Sequence, residues 1–519
     1  MNTHSDSRNL LARILVLAAV CLAALVMPLS FTGPAIALTA IHQTLGGSAV
    51  ELGWVTNAFM LSFGSSLMAA GTLADTYGRK RLFLVGMALF ALAALALAGA
   101  TSMPAFIALR AVQGLAASLA FASGMAALAQ TFTGPTQTRA FSLIGTTFGV
   151  GLAFGPLLSG YLIAHHGWRA LFLCTAIIAS LALLVGSRFM RESRDPDAVG
   201  LDWPGAISFT GALTLFTYAV LQVPMLGWGD RLVVGLLVIA ALTFAVFVWV
   251  ELHVTRPMLD LQLFRFPRFV GVQFLAAAPA YAYVVLLILL PIRMVGVEGH
   301  TALEAGRMMI ALSAPLLIVP MLAAFATRWF SAGTLSGCGL LVSALGLFWL
   351  GHYPVVGDLA HTLLPMLLIG LGISLPWGLM DGLAVSVVPP ERAGMAAGIF
   401  STTRVAGEGV ALGLVGALLA VLTQGKLVAL LNAQGIAVPA PAALASAASQ
   451  IAMGNPAQAM RALPTVPAAL LTQAYAGAFQ SLLYLLSGIT VLTGLIVFRV
   501  LNQPAHPLSG SLKPREARA

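Results

Sequence analysis

Long apolar stretches separated by short polar ones run the length of this chain. Each spans about 20 residues, enough for a helix to cross a ~30 Å hydrocarbon core. About fourteen can be read, roughly 14–38, 52–74, 82–100, 104–129, 140–163 and 168–188, then 204–224 and 232–251, then 269–292, 303–325, 334–352, 363–387, 394–422 and 475–498. The runs are continuously apolar and lack period-two alternation, so they exclude a β-barrel and predict an all-α polytopic membrane protein. Two regions break the pattern. Met190–Trp203 is a charged linker with Arg191, Glu192, Arg194, Asp195 and Asp197, and the Ala-, Pro- and Gln-rich segment 424–473 is a long outer loop in which Ala442–Met453 reads as a short surface helix.

Composition sharpens this picture. Only 8% of the 519 residues are charged, against roughly 25% in soluble domains. The net charge of +9 comes from bases standing singly or in short clusters between apolar runs, without the aromatic interleaving of a nucleic-acid surface. Cys21, Cys174 and Cys338 all fall inside apolar runs without CxxC spacing, so neither a disulfide framework nor a metal site is indicated. Arg8 and Arg13 before Ile14–Met27 look like a secretory leader, but the apolar run continues to about Leu38, which favours an uncleaved first span.

Lysine and arginine placement sets the orientation. With the N-terminus inside, inner segments carry bases such as Arg79, Lys80, Arg81, Arg139, Arg188, Arg265, Arg328 and Arg499. The outer side has Arg169, Arg231, Arg293, Arg307, Lys426 and Arg461, and Arg110 and Arg404 fall within spans. The inner excess is about three to one, which puts both termini in the cytoplasm and the chain, multi-pass, in the inner (plasma) membrane.

Four stretches carry candidate chemistry. GTLADTYGRKR at Gly71–Arg81 crowds one carboxylate and three bases into a charge-poor chain. Positive-inside anchoring accounts for Lys80 and Arg81 but not for Asp75 or Gly78, where an acid at a helix end and a tight turn are required. LRAVQG at Leu109–Gly114 puts Arg110 inside an apolar run, at a cost of at least ~2.5 kcal/mol unless it snorkels outward. GTTFGVGLAFGPLLSG at Gly145–Gly160 provides small-residue faces for close helix approach, with Pro156 removing a backbone donor. Finally, PWGLMDGLAV and TTRVAGEGVALG place Asp381, Arg404 and Glu408 in two late spans, Glu408 about 22 Å along its helix and on the same face as Arg404.

The first of these matches G-x-L-A-D-x-x-G-R-K/R throughout and is similar to the motif that the major facilitator superfamily carries between spans two and three. PMLAAFATRWF at Pro320–Phe330 is a weak echo of it, as in transporters built from two repeated halves. LDWPGAISF at Leu201–Phe209, Gly227–Trp228 and ELHVTRPMLDLQLF at Glu251–Phe264 resemble the linker of the fourteen-span drug:proton antiporter branch. The resemblance covers roughly Ile14 to Arg499. It implies two six-helix bundles, 1–188 and 267–519, joined by a cytoplasmic linker and two additional helices in 189–266.

It also implies site roles. Gly71, Asp75, Gly78, Arg79 and Lys80 would form a cytoplasmic gate in which Arg79 pairs with the neighbouring half in one conformation only. Arg110 would serve proton coupling. Gly151, Gly155, Pro156 and Gly160 match the glycine–proline motif of antiporter helices, with Ser159 in place of one glycine. The branch's first-span aspartate is missing: LSFTGPAIALT at Leu29–Thr39 has Ser30 there. Proton coupling therefore falls to Arg110, Asp381, Arg404 and Glu408, either by protonation of Glu408 or Asp381 or, more plainly, with a buried Arg404–Glu408 pair that only fixes packing. Ser30, Asn57, Gln113, Gln273, Tyr281 and Trp377 are candidate cavity residues. No Ser/His/Asp set, HExxH or P-loop occurs, so the expectation is a transporter and not an enzyme.

The function expected is proton-coupled export of small amphipathic compounds by alternating access. Its partners are a small-molecule cargo, protons and the lipid bilayer, with no nucleic acid, no cofactor and no metal, and the chain acts as a monomer. Uptake of an organic solute on the same fold, or a non-transporting membrane sensor, are the rival readings.

Overall fold

The protein is described from a computed structural model covering residues 3–132, 135–194, 202–254, 259, 261–353, 359–388 and 393–503. Asp195 and Asp197 of the linker, much of the Glu251–Phe264 motif and the basic tail after 503 lie outside the described residues.

Helices α1 (Thr3–Leu45), α2 (Ala49–Tyr77), α3 (Arg79–Ala98), α4 (Met103–Thr131), α5 (Pro135–His166) and α6 (Arg169–Phe189) pack among themselves, α2 on α4, α3 on α4 and α6, and α1 on α5 and α6. Helices α7 (Trp203–Leu226) and α8 (Arg231–His253) form an antiparallel pair. The ninth apolar run is one enclosed rod of α9 (Pro267–Pro279), a π-helical turn Ala280–Val284, α10 (Val285–Pro291) and a second π-helical turn Ile292–Val297. There follow α11 (Ala302–Ser313), α12 (Pro315–Ala326), α13 (Ala332–Gly351), α14 (Leu359–Trp377), α15 (Met380–Ser386), α16 (Ala393–Ala433), α17 (Pro441–Ala452), α18 (Pro456–Ala462) and α19 (Ala468–Leu501). In this second group α13 lies between α14 and α19, and α16 packs on α19 and α9.

The two groups meet along α2 with α16 and α5 with α11, while α7 leans on α2 and α16 at the seam. Helix α8 presents Leu242, Trp249 and other exposed apolar side chains outward, a surface suited to lipid.

Twelve of the described helices are long and apolar enough to cross a membrane, thirteen if bent α5 counts as one span. The expected fourteen are therefore not all met by this criterion. α2 falls short because Asn57, Ser62, Ser65, Ser66 and Thr72 dilute its apolarity, although its 29 residues would extend ~43 Å. Helix α5 bends by 42° between Leu152 and Phe154, where the ring of Pro156 crowds the carbonyl four residues earlier.

Several boundaries also move. Helix α1 continues through Pro28 and Pro34 to Leu45, and the run at 303–325 breaks at Ala314–Pro315. The outer loop expected at 424–473 is shorter, because α16 runs on to Ala433 and α19 begins at Ala468. The expected surface helix is present as α17, with Leu444, Ala447, Ala448 and Ile451 buried.

Candidate functional site

Helix α2 ends and α3 begins at Gly78, whose φ of 111° lies in the region that favours glycine. Asp75 Oδ1 accepts hydrogen bonds from Arg79 Nε at 2.9 Å and Nη2 at 2.7 Å. Glu192, just after α6, closes the other side: its Oε1 accepts from the Lys80 amide at 3.1 Å, and Oε2 lies 3.6 Å from Arg81. A Cβ at Gly78 would stand 2.6 Å from Glu192 Oε1. Arg79 is thus paired within its own half, and the side-chain hydrogen bonds and ion pairs of this loop among the described residues stay within that half.

Arg110 is fully buried and does not snorkel. Its Nε donates to the carbonyl of Val55 at 2.8 Å, its Nη1 donates to Gln113 Oε1 at 2.6 Å, and its guanidinium lies over the Phe59 ring at 4.5 Å. The arginine therefore ties α4 to the second turn of α2, and Gln113 is spent on holding it.

The glycines of α5 serve two interfaces. Gly151 lies against Pro28 and Leu25 of α1, and a Cβ at Gly155 would be 2.7 Å from Thr32 Oγ1. Gly160 meets the Ala302 carbonyl of α11, and a Cβ on Gly306 would sit 2.6 Å from the Pro156 carbonyl. Midway along the other seam, Gly64 of α2 abuts the Ala406 backbone of α16. Towards the end bearing Gly71–Arg81 the seams part: a Cβ at Gly71, Gly145 or Gly382 would meet nothing within 4 Å. The halves thus touch at the Gly160–Ala302 end, whereas at the end bearing Gly71–Arg81 these glycines face open space among the described residues.

The break between α14 and α15, made by Pro376 and Gly378, swings Asp381 into the first turn of α15. There its Oδ1 lies 3.4 Å from Arg404 Nη1. Asp381 is 65% exposed, whereas Glu408 is buried with no ion pair among the described residues. Of the two sequence readings, the Arg404–Glu408 ion pair is not found among the described residues; Arg404 is paired instead with Asp381 on the neighbouring α15.

Other candidates are committed to packing. The Ser30 hydroxyl donates to the Val26 carbonyl, Asn57 Nδ2 to that of Gly53, and Tyr281 Oη to Thr493 Oγ1 at 2.6 Å. Trp377 stacks edge-on against Tyr283, with ring centroids 6.1 Å apart, and Tyr283 donates to Ser313 Oγ. Ser313 and Thr493 were not legible beforehand, since only the π-helical turn at Ala280–Val284 rotates the two tyrosines onto them. Gln273 is buried with both amide atoms unpaired among the described residues.

The sequence profile of the Major Facilitator Superfamily matches residues 19–412. The chain belongs to that superfamily. Members of this superfamily are transporters, not enzymes. The chain is 33% identical over 422 residues to a puromycin resistance protein of Streptomyces alboniger, covering 78% of this chain and 81% of that one. It is 28% identical over 405 residues to a tetracenomycin C resistance and export protein of Streptomyces glaucescens, covering 78% and 75% of the two chains. A bacterial homologue of the human lysosomal transporter Spinster, solved in an inward-facing and unoccupied conformation, shares the fold with a TM-score of 0.62 at 14% identity, over 94% of this chain and 97% of the other.

Proposed function

We propose that this superfamily member is a proton-coupled exporter of small amphipathic compounds, working by alternating access as a monomer in the plasma membrane. Fourteen helices cross the bilayer, the twelve that qualify by apolarity together with bent α5 and the more polar α2, and both termini are cytoplasmic. The domain organisation is the two bundles 1–188 and 267–519 with an inserted helix pair. Two observations support export: the names of the antibiotic-resistance relatives and the glycine–proline face of α5.

Coupling rests on one observation above all. Glu408 is a carboxylate buried within α16, the helix whose backbone at Ala406 abuts Gly64 of the opposite half. A carboxylate held there without an ionic partner is stable when protonated and costly when charged. Rocking of the halves about that contact changes its surroundings, so proton uptake and release follow the conformational cycle. Asp381, exposed with Arg404 beside it, faces the inward-opening cleft and meets the polar or cationic end of the cargo. The Asp75–Arg79 loop, free of the second half here, engages it when the inner side closes.

Inverted vesicles test this reading. An imposed gradient, acid inside, is expected to drive accumulation of compounds to which the expressing host becomes tolerant. If collapsing the gradient leaves accumulation unchanged, the proton-coupled reading fails.

A further inference from the structure

At the outer end, the turn from the second π-helical segment into α11 carries four ionisable side chains in a row. Arg293 Nε lies 2.6 Å from Glu298 Oε1, both side chains less than a tenth exposed. His300 Nε2 is 3.6 Å from Glu298 Oε2, and its Nδ1 is 3.9 Å from Glu304 Oε2. The imidazole therefore sits between two carboxylates, within ion-pair reach of both, and exposure rises along the row to 52% at Glu304. No other acid or base lies within 4.0 Å of this imidazole among the described residues.

The surroundings fix the row in place. The Arg293 guanidinium covers the Phe479 ring at 4.9 Å. From α19 the buried Tyr475 hydroxyl faces the Arg293–Glu298 pair, and from α11 Arg307 faces Glu304. Helix α17 carries no titratable side chain. The histidines that α1 and α5 bring to this end are His42, His165 and His166; the first two are held by the backbone at Gly46 and Tyr161, and His166 is exposed, as is His361 at the start of α14, which packs on α11.

This same turn is where the halves close. Ala302 and Leu303 stand against Gly160 of α5, Gly306 stands against Pro156, and Gly296 and Ile292 lie against Gly454 of the outer loop. A π-helical turn is a rare geometry that concentrates at functional positions.

We propose that His300 is an outer-face proton sensor that locks the outer gate when protonated. Protonation completes an alternating row, positive Arg293, negative Glu298, positive His300, negative Glu304, within the turn on which α5 closes. A neutral imidazole leaves Glu304 with only Arg307 of its own helix as a cation nearby. When α5 withdraws, the turn loses its backbone contacts at Ala302 and Leu303, between the two carboxylates, and is freer to part them from the ring, so protons bind the closed state better and shift the population towards it. The direction matches an exporter that takes a proton from outside before resetting inward, and to that extent the inference rests on the export reading.

The test measures distance, without cargo, so it stands or falls separately from transport. Spin labels at Ala164→Cys on α5 and Gln434→Cys at the outer end of α16, with Cys21, Cys174 and Cys338 replaced by alanine, report the outer opening of the full chain in lipid nanodiscs. From about pH 8 to about pH 5.5, the closed-to-open ratio is expected to rise about tenfold, the equivalent of a one-unit difference in proton affinity between states. His300→Gln should retain the distribution found at the higher pH and respond less than about twofold. An equal response in His300→Gln and the parent overturns the proposal. Should His300→Gln not fold, Glu304→Gln decides, because glutamine preserves the capping box with Thr301. A weakened response there supports the sensor, and an unaltered one overturns it.

Discussion

Arg404 lies 3.4 Å from Asp381 and forms no ion pair with Glu408, four residues along its own helix. Two carboxylates that composition alone made equivalent thus acquire different surroundings. Asp381 is exposed and ion-paired, while Glu408 is buried without an ionic partner among the described residues.

The two should separate in transport. Glu408→Gln mimics a permanently protonated group, so gradient-driven accumulation in inverted vesicles should fall at least about tenfold, ~1.4 kcal/mol. Counterflow, which exchanges cargo without a gradient, should persist in that variant. Asp381→Asn should weaken counterflow of cationic compounds as well. Equal loss of both activities in both variants would contradict the division of roles.

Arg110 makes a second case. Its planar guanidinium serves the Val55 carbonyl and Gln113 through different nitrogens, which a lysine ammonium cannot reproduce on the same geometry. Arg110→Lys should cost about 1–3 kcal/mol of stability, seen as a lowered melting temperature in detergent. Arg110→Ala should cost more, because the buried Gln113 and Val55 acceptors lose their donor. An unchanged melting temperature in both variants would show that the α2–α4 tie carries no stability.

At the turn between α2 and α3, Gly78→Ala faces two penalties, the positive φ and the Glu192 carboxylate 2.6 Å from the new Cβ. With φ 111° and ψ 130°, outside the left-handed helical region, the backbone penalty alone is about 1–3 kcal/mol. Adding Glu192→Ala should recover the steric part and leave the φ part, so the double variant should be more stable than the sum of the singles implies. Strict additivity of melting shifts would place Glu192 away from the turn.

Much of this molecule is written locally in the chain. Runs of about 20 apolar residues commit a segment to the bilayer whatever its neighbours do, because an unpaired backbone there is too costly for anything but a helix. The Gly71–Arg81 turn is equally local: Asp75 and Arg79 are four residues apart, one helical turn, and the glycine between them is required by φ. Arg110 could be singled out because a charge inside an apolar run stands out without any structure.

What the charges pair with could not be read in the same way. Whether Arg110 snorkels or turns inward depends on how close α2 lies, and whether Arg404 chooses Glu408 or Asp381 depends on a helix break between Pro376 and Gly378. The outer row from Arg293 to Glu304 is confined to twelve residues of sequence, yet its meaning depends on Gly160 and Gly454, far away in the chain, closing on the same turn. Hydrophobic length is a property of a segment, and the sequence by itself determined the helices and singled out the Gly71–Arg81 turn. Ion pairing and closure depend on distances of a few ångströms between segments, and only the packing of the two halves decided those.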